Sequence, residues 1–456
     1  MIYKILIIKI ISLIQENYLF RNIFLLLTIG SKITISVLAQ TPWLKPEKDY
    51  WKNKNKPLYF NDFIYDSNIK TVLFYPLISG NAQEASQTPT VPLSQPYPLI
   101  LQFDELGDVA NYYMAKIIHC NADWKPSSLN SLEFLDTFNE FRINDFEFSN
   151  NTRVPYVHFE MTLPKVKVSG NYLLKVYHEG NENQIIITKR FIVYEEVVFT
   201  KAELVTVVGG QDALTKQQVN VEVSFNKDLQ LKEPATSIKA VIRQNYRWDN
   251  SLTLKPLYVK ENTLDFKYFS LENAFWAGNE FRNFEFFNLM TGGLNVKKAV
   301  VGKTMNSIEL QLDYVRGDKT FNNQLADIEG SYFVNCMCNM PSVDADYAQV
   351  NFYLNAPEPY LEDVYVVGGF SNWNLLPENK MFYFPDKKAY HAQILLKQGL
   401  YDYEYILYSE SSKKRDDVTI EGSFRLAENI YDVLIYYSPF GSRADRIIGY
   451  KKVMVQ

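Results

Sequence analysis

SGNYLLKVYHEGNENQIIITKRFIVY, residues 169–194, reads as a β-hairpin. Successive side chains on a strand point to opposite faces, so Tyr172, Leu174 and Val176 share one side and Leu173, Lys175 and Tyr177 the other. The polar HEGNENQ turns the chain, and IIITKRFIVY brings it back to close the end of a sandwich. The same period of two recurs outward from this hairpin. Val219, Val221, Val223 and Phe225 alternate with Asn220, Glu222 and Ser224; Ile238, Ala240 and Ile242 alternate with Lys239 and Arg243; Ala348, Val350, Phe352 and Leu354 repeat the pattern. Helical periodicity is scarce, and the 32 Tyr and 30 Phe suit pleated, half-buried surfaces.

The chain is therefore predicted to be all-β, a tandem array of immunoglobulin-like β-sandwich domains. At roughly 100–200 residues per domain, three modules are expected. Their predicted bounds are 55–197, 198–343 and 344–456, with a linker near 341–346. The proline-rich AQEASQTPTVPLSQPYP at 82–98 reads as a surface loop, since proline cannot donate to a sheet ladder. Phe269 to Met290 carries aromatics on both faces, which fits a central buried strand better than an edge awaiting a partner.

An export signal is expected over 1–39. Arg21 precedes the apolar stretches Ile23–Leu27 and onward to Leu38, and Val37-Leu38-Ala39 offers a small-residue cleavage site between Ala39 and Gln40. Gly30, Ser31 and Lys32 break the run below the length of a spanning helix. Residues 40–54 form an N-terminal extension. Loss of 1–39 removes Lys4, Lys9, Arg21, Lys32 and Glu16, moving the formal charge from −5 to −8, which disfavours nucleic-acid binding. Lys413-Lys414-Arg415, followed by Asp416-Asp417, reads as a solvated turn.

No catalytic constellation emerges, and the chain is read as a non-enzyme without cofactor. Glu195-Glu196 and Asp416-Asp417 are neighbours in sequence, which on a strand sends them to opposite faces. His119 likewise faces away from Cys120, so it does not activate that thiol; Cys120 is expected inward, with Trp124 covering an end of the core. Cys336-x-Cys338 lacks a second ligand pair or a nearby His, so no metal is expected, and the three cysteines read as small buried apolar side chains.

Two sets of residues are candidates for binding. GGFSNWNLLPENKMFYF with LKQGLYDYEY looks like the glycogen-binding module of starch-processing enzymes, with Trp373 as a stacking platform and Asn372 and Lys380 as hydrogen-bonding groups. The later loop, SESSKKRDD at 409–417, supplies no second aromatic. In GSRADRIIGY, Arg443 and Arg446 either face acidic partners or close their own domain by ion pairs, with Asp445 nearby.

KIIHCNADWKPSSL at 116–129, NDFEFSNNTRVPY at 144–156, the hairpin above, AGNEFRNF at 277–284 and ENIYDVLIYYSPFGSRADRIIGY at 428–450 together resemble the plug protein of the Bacteroidetes type IX secretion system. The resemblance implies a periplasmic, outer-membrane-associated binding protein that occludes the periplasmic opening of a very large β-barrel translocon. Its partner would be that barrel, its only membrane contact would run through the barrel, and it would need no small-molecule ligand. The alternative reading is an α-glucan-binding protein using Trp373.

Overall fold

The computed structural model describes residues 56–226, 228–317, 321 and 327–454. The expected signal sequence, the Ala39–Gln40 cleavage site and the 40–54 extension lie outside the described residues. Those residues form six sheets, none closed into a barrel, with helices of only three to five residues between strands. No helix among them is long and apolar enough to cross a membrane.

Three cores each bring two sheets together. The first lies between the sheet of Ile69–Pro76, Leu99–Leu106, Tyr156–Thr162 and Asp145–Phe148 and the sheet centred on Tyr113–Cys120, Gly170–His178 and Ile185–Tyr194. Gly170–His178 pairs antiparallel with Ile185–Tyr194, and Tyr172, Leu174 and Val176 enter this core as their alternation predicts. Leu173 faces the other way, onto Cys120 and Trp124. Ile69–Pro76 is buried on both faces: Val72 and Phe74 enter the first core, Leu73 and Tyr75 the third.

The segment expected to be a surface loop is partly ordered into the fold. Thr90–Pro92 runs parallel to Ile192–Tyr194, in an edge position that tolerates proline. Glu84 is buried, and its carboxylate accepts from the Ser79 hydroxyl and the N–H groups of Ile78, Ser79 and Gly80. The Ser79 hydrogen bond leads these in holding its pKa down at about 2, with burial opposing.

In the second core Val219, Val221 and Val223 meet Ile238, Ala240 and Ile242 from the facing sheet, all fully buried. Ile238–Gln244 pairs with Ile430–Tyr437, which pairs in turn with Arg446–Met454. The sheets thus depart from the modular division at 343/344, because the last two strands lie beside Ile238–Gln244. The buried residues of the third core, around Phe284, Val350, Phe352, Leu354 and Tyr401, come from the intervening chain and Ile69–Pro76, with Leu77 and Ala85 packed against them. Residues 341–346 join two strands of this core, Tyr332–Val334 and Tyr347–Asn355, and do not link domains. Alternation marks which residues of a strand face a core; it carries no information about which sheet receives the strand.

Phe269–Met290 is likewise two strands. Ala274–Trp276 pairs with Lys216–Ser224 in the second sheet pair, and Arg282–Glu285 pairs with Gly399–Ser409 in the third. Arg282–Glu285 lies at the end of its sheet path, yet Phe284 and Phe286 are fully buried. Each such side chain contributes about 1.5–3 kcal/mol by leaving water.

Candidate functional site at the seams between the sheet pairs

In LILQFDEL the inward positions Leu101 and Phe103 are fully buried, and the same alternation turns Asp104 to the reverse face, against the third sheet pair. One Asp104 oxygen meets His158 Nδ1 at 2.7 Å, and the other accepts from Tyr347 Oη and Lys397 Nζ, each at 2.7 Å. Lys397 is 1% exposed, donates also to the Ser342 carbonyl, and stands 4.0 Å above the Tyr156 ring. Burial pushes the Asp104 carboxyl up, but the Lys397 ammonium and His158 outweigh it and hold the group below the usual carboxylate range. Asp346 strengthens the same seam by accepting the N–H groups of Arg153 and Val154.

The seam between the second and third pairs is a cluster of two guanidiniums and three carboxylates. Arg247 holds Asp249 through two hydrogen bonds of 3.0 and 2.6 Å, Glu404 at 3.0 Å and Asp417 at 3.1 Å. Arg415 reaches the same three acids. Burial pushes Glu404 up to about 7, against the two arginines. Arg415 therefore belongs to the interior, whereas Lys413 stays exposed beside Glu410, so the basic run is a solvated turn only at its start. A guanidinium loses hydration more cheaply than an ammonium and can satisfy several carboxylates at once.

Between the first and second pairs, Ile192, Val241, Leu434, Tyr436 and Ile447 form an apolar seam. Beside it Arg243 forms a buried ion pair with Asp432, and Tyr436 Oη donates to Asn171 at 2.7 Å. The two arginines predicted as partner surfaces lie at its rim. Arg443 forks onto Glu133 at 2.7 and 2.9 Å, and Arg446 onto Glu195. Both carboxylates belong to the first sheet pair; Asp445 instead accepts the Ala122 N–H.

Beside the Arg247 cluster lies a cavity of about 160 Å³, lined among others by Asp62, Lys189, Arg190, Arg247, Trp248 and Trp373. Arg190 donates to the Phe60 carbonyl and Asn61, and its guanidinium sits 4.1 Å from Trp124 and 5.4 Å from Trp248. The residues expected to form a sugar platform are committed elsewhere. Trp373 is half-buried, with the Arg247 guanidinium 3.8 Å from its ring centre and Phe281 at its side. Asn372 accepts from Lys189, and Lys380 pairs with Asp363, away from the cavity.

His119 and Cys120 do face apart. His119 packs on Tyr172 and Phe134, with burial lowering its pKa, while Cys120 joins Trp124 and Leu173. Burial pushes the Cys120 thiol up to about 12. It is expected to resist iodoacetamide near pH 8 in the folded protein and react once urea unfolds it, a difference that mass spectrometry of the alkylated peptide reads. Cys336 and Cys338 are joined as a disulfide, which corrects their reading as buried thiols; Cys338 is exposed. Among the described residues no group of three or more His, Cys, Asp or Glu is placed to hold a metal.

Asp104, Lys397, Arg247 and Glu404 escaped the search of the sequence. For Asp104 and Glu404 the signal was a charge set inside an aliphatic or aromatic alternation, LILQFDEL and YDYEY; Arg247 lies outside any strand and carried none.

The type 9 secretion system plug protein 1st domain family model matches residues 69–195, close to the span of the first sheet pair. A crystal structure of a hypothetical protein from Parabacteroides merdae is similar over 87% of this chain and 100% of its own, at 32% identity and a TM-score of 0.81. No curated protein matches.

Proposed function

We propose, for a chain that belongs to the type 9 secretion system plug protein family, that it closes the periplasmic opening of the outer-membrane translocon barrel as a rigid, non-enzymatic body. The family is a secretion-system component, which sets the class of partner. The observation that carries the reading is the set of buried seams. Every pair of sandwiches is joined through desolvated charges or apolar side chains, and the described residues belong to one compact unit. A body that obstructs a pore has to resist bending, and interfaces of this kind suppress the relative motion that small polar domain contacts allow.

Affinity purification of the tagged protein from detergent-solubilised outer membrane tests the partner. Recovery of one dominant, very large barrel supports it; recovery of soluble glycans or no partner sinks it. Conductance of that barrel in a planar bilayer tests closure, which requires the current to fall when the protein is added from the periplasmic side. The α-glucan reading finds no support, since the Trp373 ring already has Arg247 against it. Malto-oligosaccharides are expected to leave the melting temperature unchanged, and a dose-dependent rise in a thermal-shift assay would revive that reading.

A further inference from the structure

We propose that the strap at residues 327–330 is a proton-held clasp, in which Asp327 and Glu329 lie close to Glu280 and Asp402 with no pairing cation among the described residues, and protonation of these carboxyls keeps the strap closed. This goes beyond pore closure and stands independently of it. Asp402 lies fully buried in the middle of Gly399–Ser409. Its Oδ2 accepts the N–H groups of Ile328 at 2.7 Å and Gly330 at 3.0 Å, while its Oδ1 is buried with no partner. Glu329 Oε2 is buried and unpartnered as well. Asp327 ties the strap to the next segment, accepting the N–H groups of Phe281 at 2.6 Å and Glu329 at 3.0 Å. Glu280 accepts the N–H of Glu428 at 3.0 Å, bringing a fifth acid close by.

Among the described residues the nearby cations offset this cluster only in part: Arg316 opposes the upward shift of Glu280 and Asp327 without overcoming it, and Lys452 lines the same pocket as Asp327 and Glu329. Arg316 donates to the Glu280 carbonyl and pairs with Glu421; Arg247 is held by Asp249, Glu404 and Asp417; Lys452 stands over the Tyr246 ring. Tyr246 and Tyr431, which also face Glu329, stay neutral because burial raises their pKa values. Unpartnered carboxyl oxygens in such a site favour the protonated acid, which brings its own donor. Burial accordingly pushes Glu280 up to about 7 and Glu329 and Asp402 up to about 8, and moves Asp327 in the same direction. The closed strap binds protons that the open strap releases. Its stabilisation is therefore full below the ordinary carboxylate range and is lost as pH rises toward about 8.

Gly330 couples the strap to a reporter. It sits at φ +77°, and a Cβ there would lie 2.6 Å from the Trp373 ring, so strap and indole are in close contact. Hydrogen exchange of the 328–331 amides, corrected for intrinsic rates, tests the clasp between about pH 6 and about pH 8.5. The wild type is expected to lose about tenfold or more in protection across that range, with a parallel change in tryptophan emission that Trp373→Phe removes. The Glu329→Gln/Asp402→Asn double variant keeps the acceptor atoms and is expected to lose clearly less protection than the wild type, Glu280 being left to titrate in this window; if it does not fold, Glu329→Gln alone must make the profile shallower, and a slope equal to the wild type's overturns the proposal. Level protection in the wild type, or an equal loss in the distant Lys216–Ser224 strand, overturns the proposal. Restoration of protection at the higher pH by Ca²⁺ also overturns it, because a cation would then be the occupant.

Discussion

Replacing Lys397 by Met is expected to cost about 3–5 kcal/mol of stability, because Asp104 stays fully buried after losing its ammonium partner. Removing one member of a buried pair leaves a charge without compensation, which is worse than removing both. Asp104→Leu combined with Lys397→Met is therefore expected to recover much of the loss, a coupling that a double-mutant cycle in urea reads directly. The pH dependence adds a second signature. Since Asp104 is held below its ordinary value, its contribution is present above the ordinary carboxylate pKa and lost as pH falls through the lower folded value. Lys397→Met removes that part of the acid sensitivity. An unchanged urea midpoint in the single variant would mean that this seam does not hold the first and third sandwiches together.

Arg247→Met is expected to be of similar size, about 3–5 kcal/mol, moderated by Arg415, which still reaches Asp249, Glu404 and Asp417. Here the sign with pH is the opposite. Glu404 is already raised to about 7, so the native state takes up a proton that the unfolded state lacks, and stability declines as pH rises through that window. Without Arg247 its pKa rises further, and the window extends upward. The gap in urea midpoint between variant and wild type should then be wider near pH 9 than near pH 6. A pH-independent gap would show that lost packing under Trp373, and not lost charge compensation, carries the effect.

The all-β class and the hairpin at 169–194 were legible because alternation is a local property. Leu174, Val176, Val219, Val221, Val350 and Phe352 all face cores as their spacing indicates. Sheet membership was not legible, since Ile238–Gln244 takes its partner from Ile430–Tyr437, across the whole third sandwich. The buried charges were hidden for a related reason: Asp104 and Lys397 meet across 293 residues. Read singly, each is a polar interruption in a strand, and only the seam turns the two into a pair. Trp373 was read as a stacking platform for sugar, but its ring lies against Arg247, which comes from the second sandwich. Arg443 and Arg446 were read as facing partners or closing their own domain, and they instead cross to Glu133 and Glu195 of the first module.

The return of the chain to Ile238–Gln244 sets an order of events during synthesis. The first sandwich draws its strands from one continuous stretch, and those of the third are all made before Ile430. The second stays unfinished until Ile430–Tyr437 and Arg446–Met454 emerge, and until then Ile238, Ala240 and Ile242 lie along an open strand edge. Such an edge is a template for pairing with other chains, and long-range pairing of this kind forms slowly. A nascent chain that stalls before Ile430 is thus poised for intermolecular capture, and the closing hairpin acts as the step that removes the open edge of Ile238–Gln244.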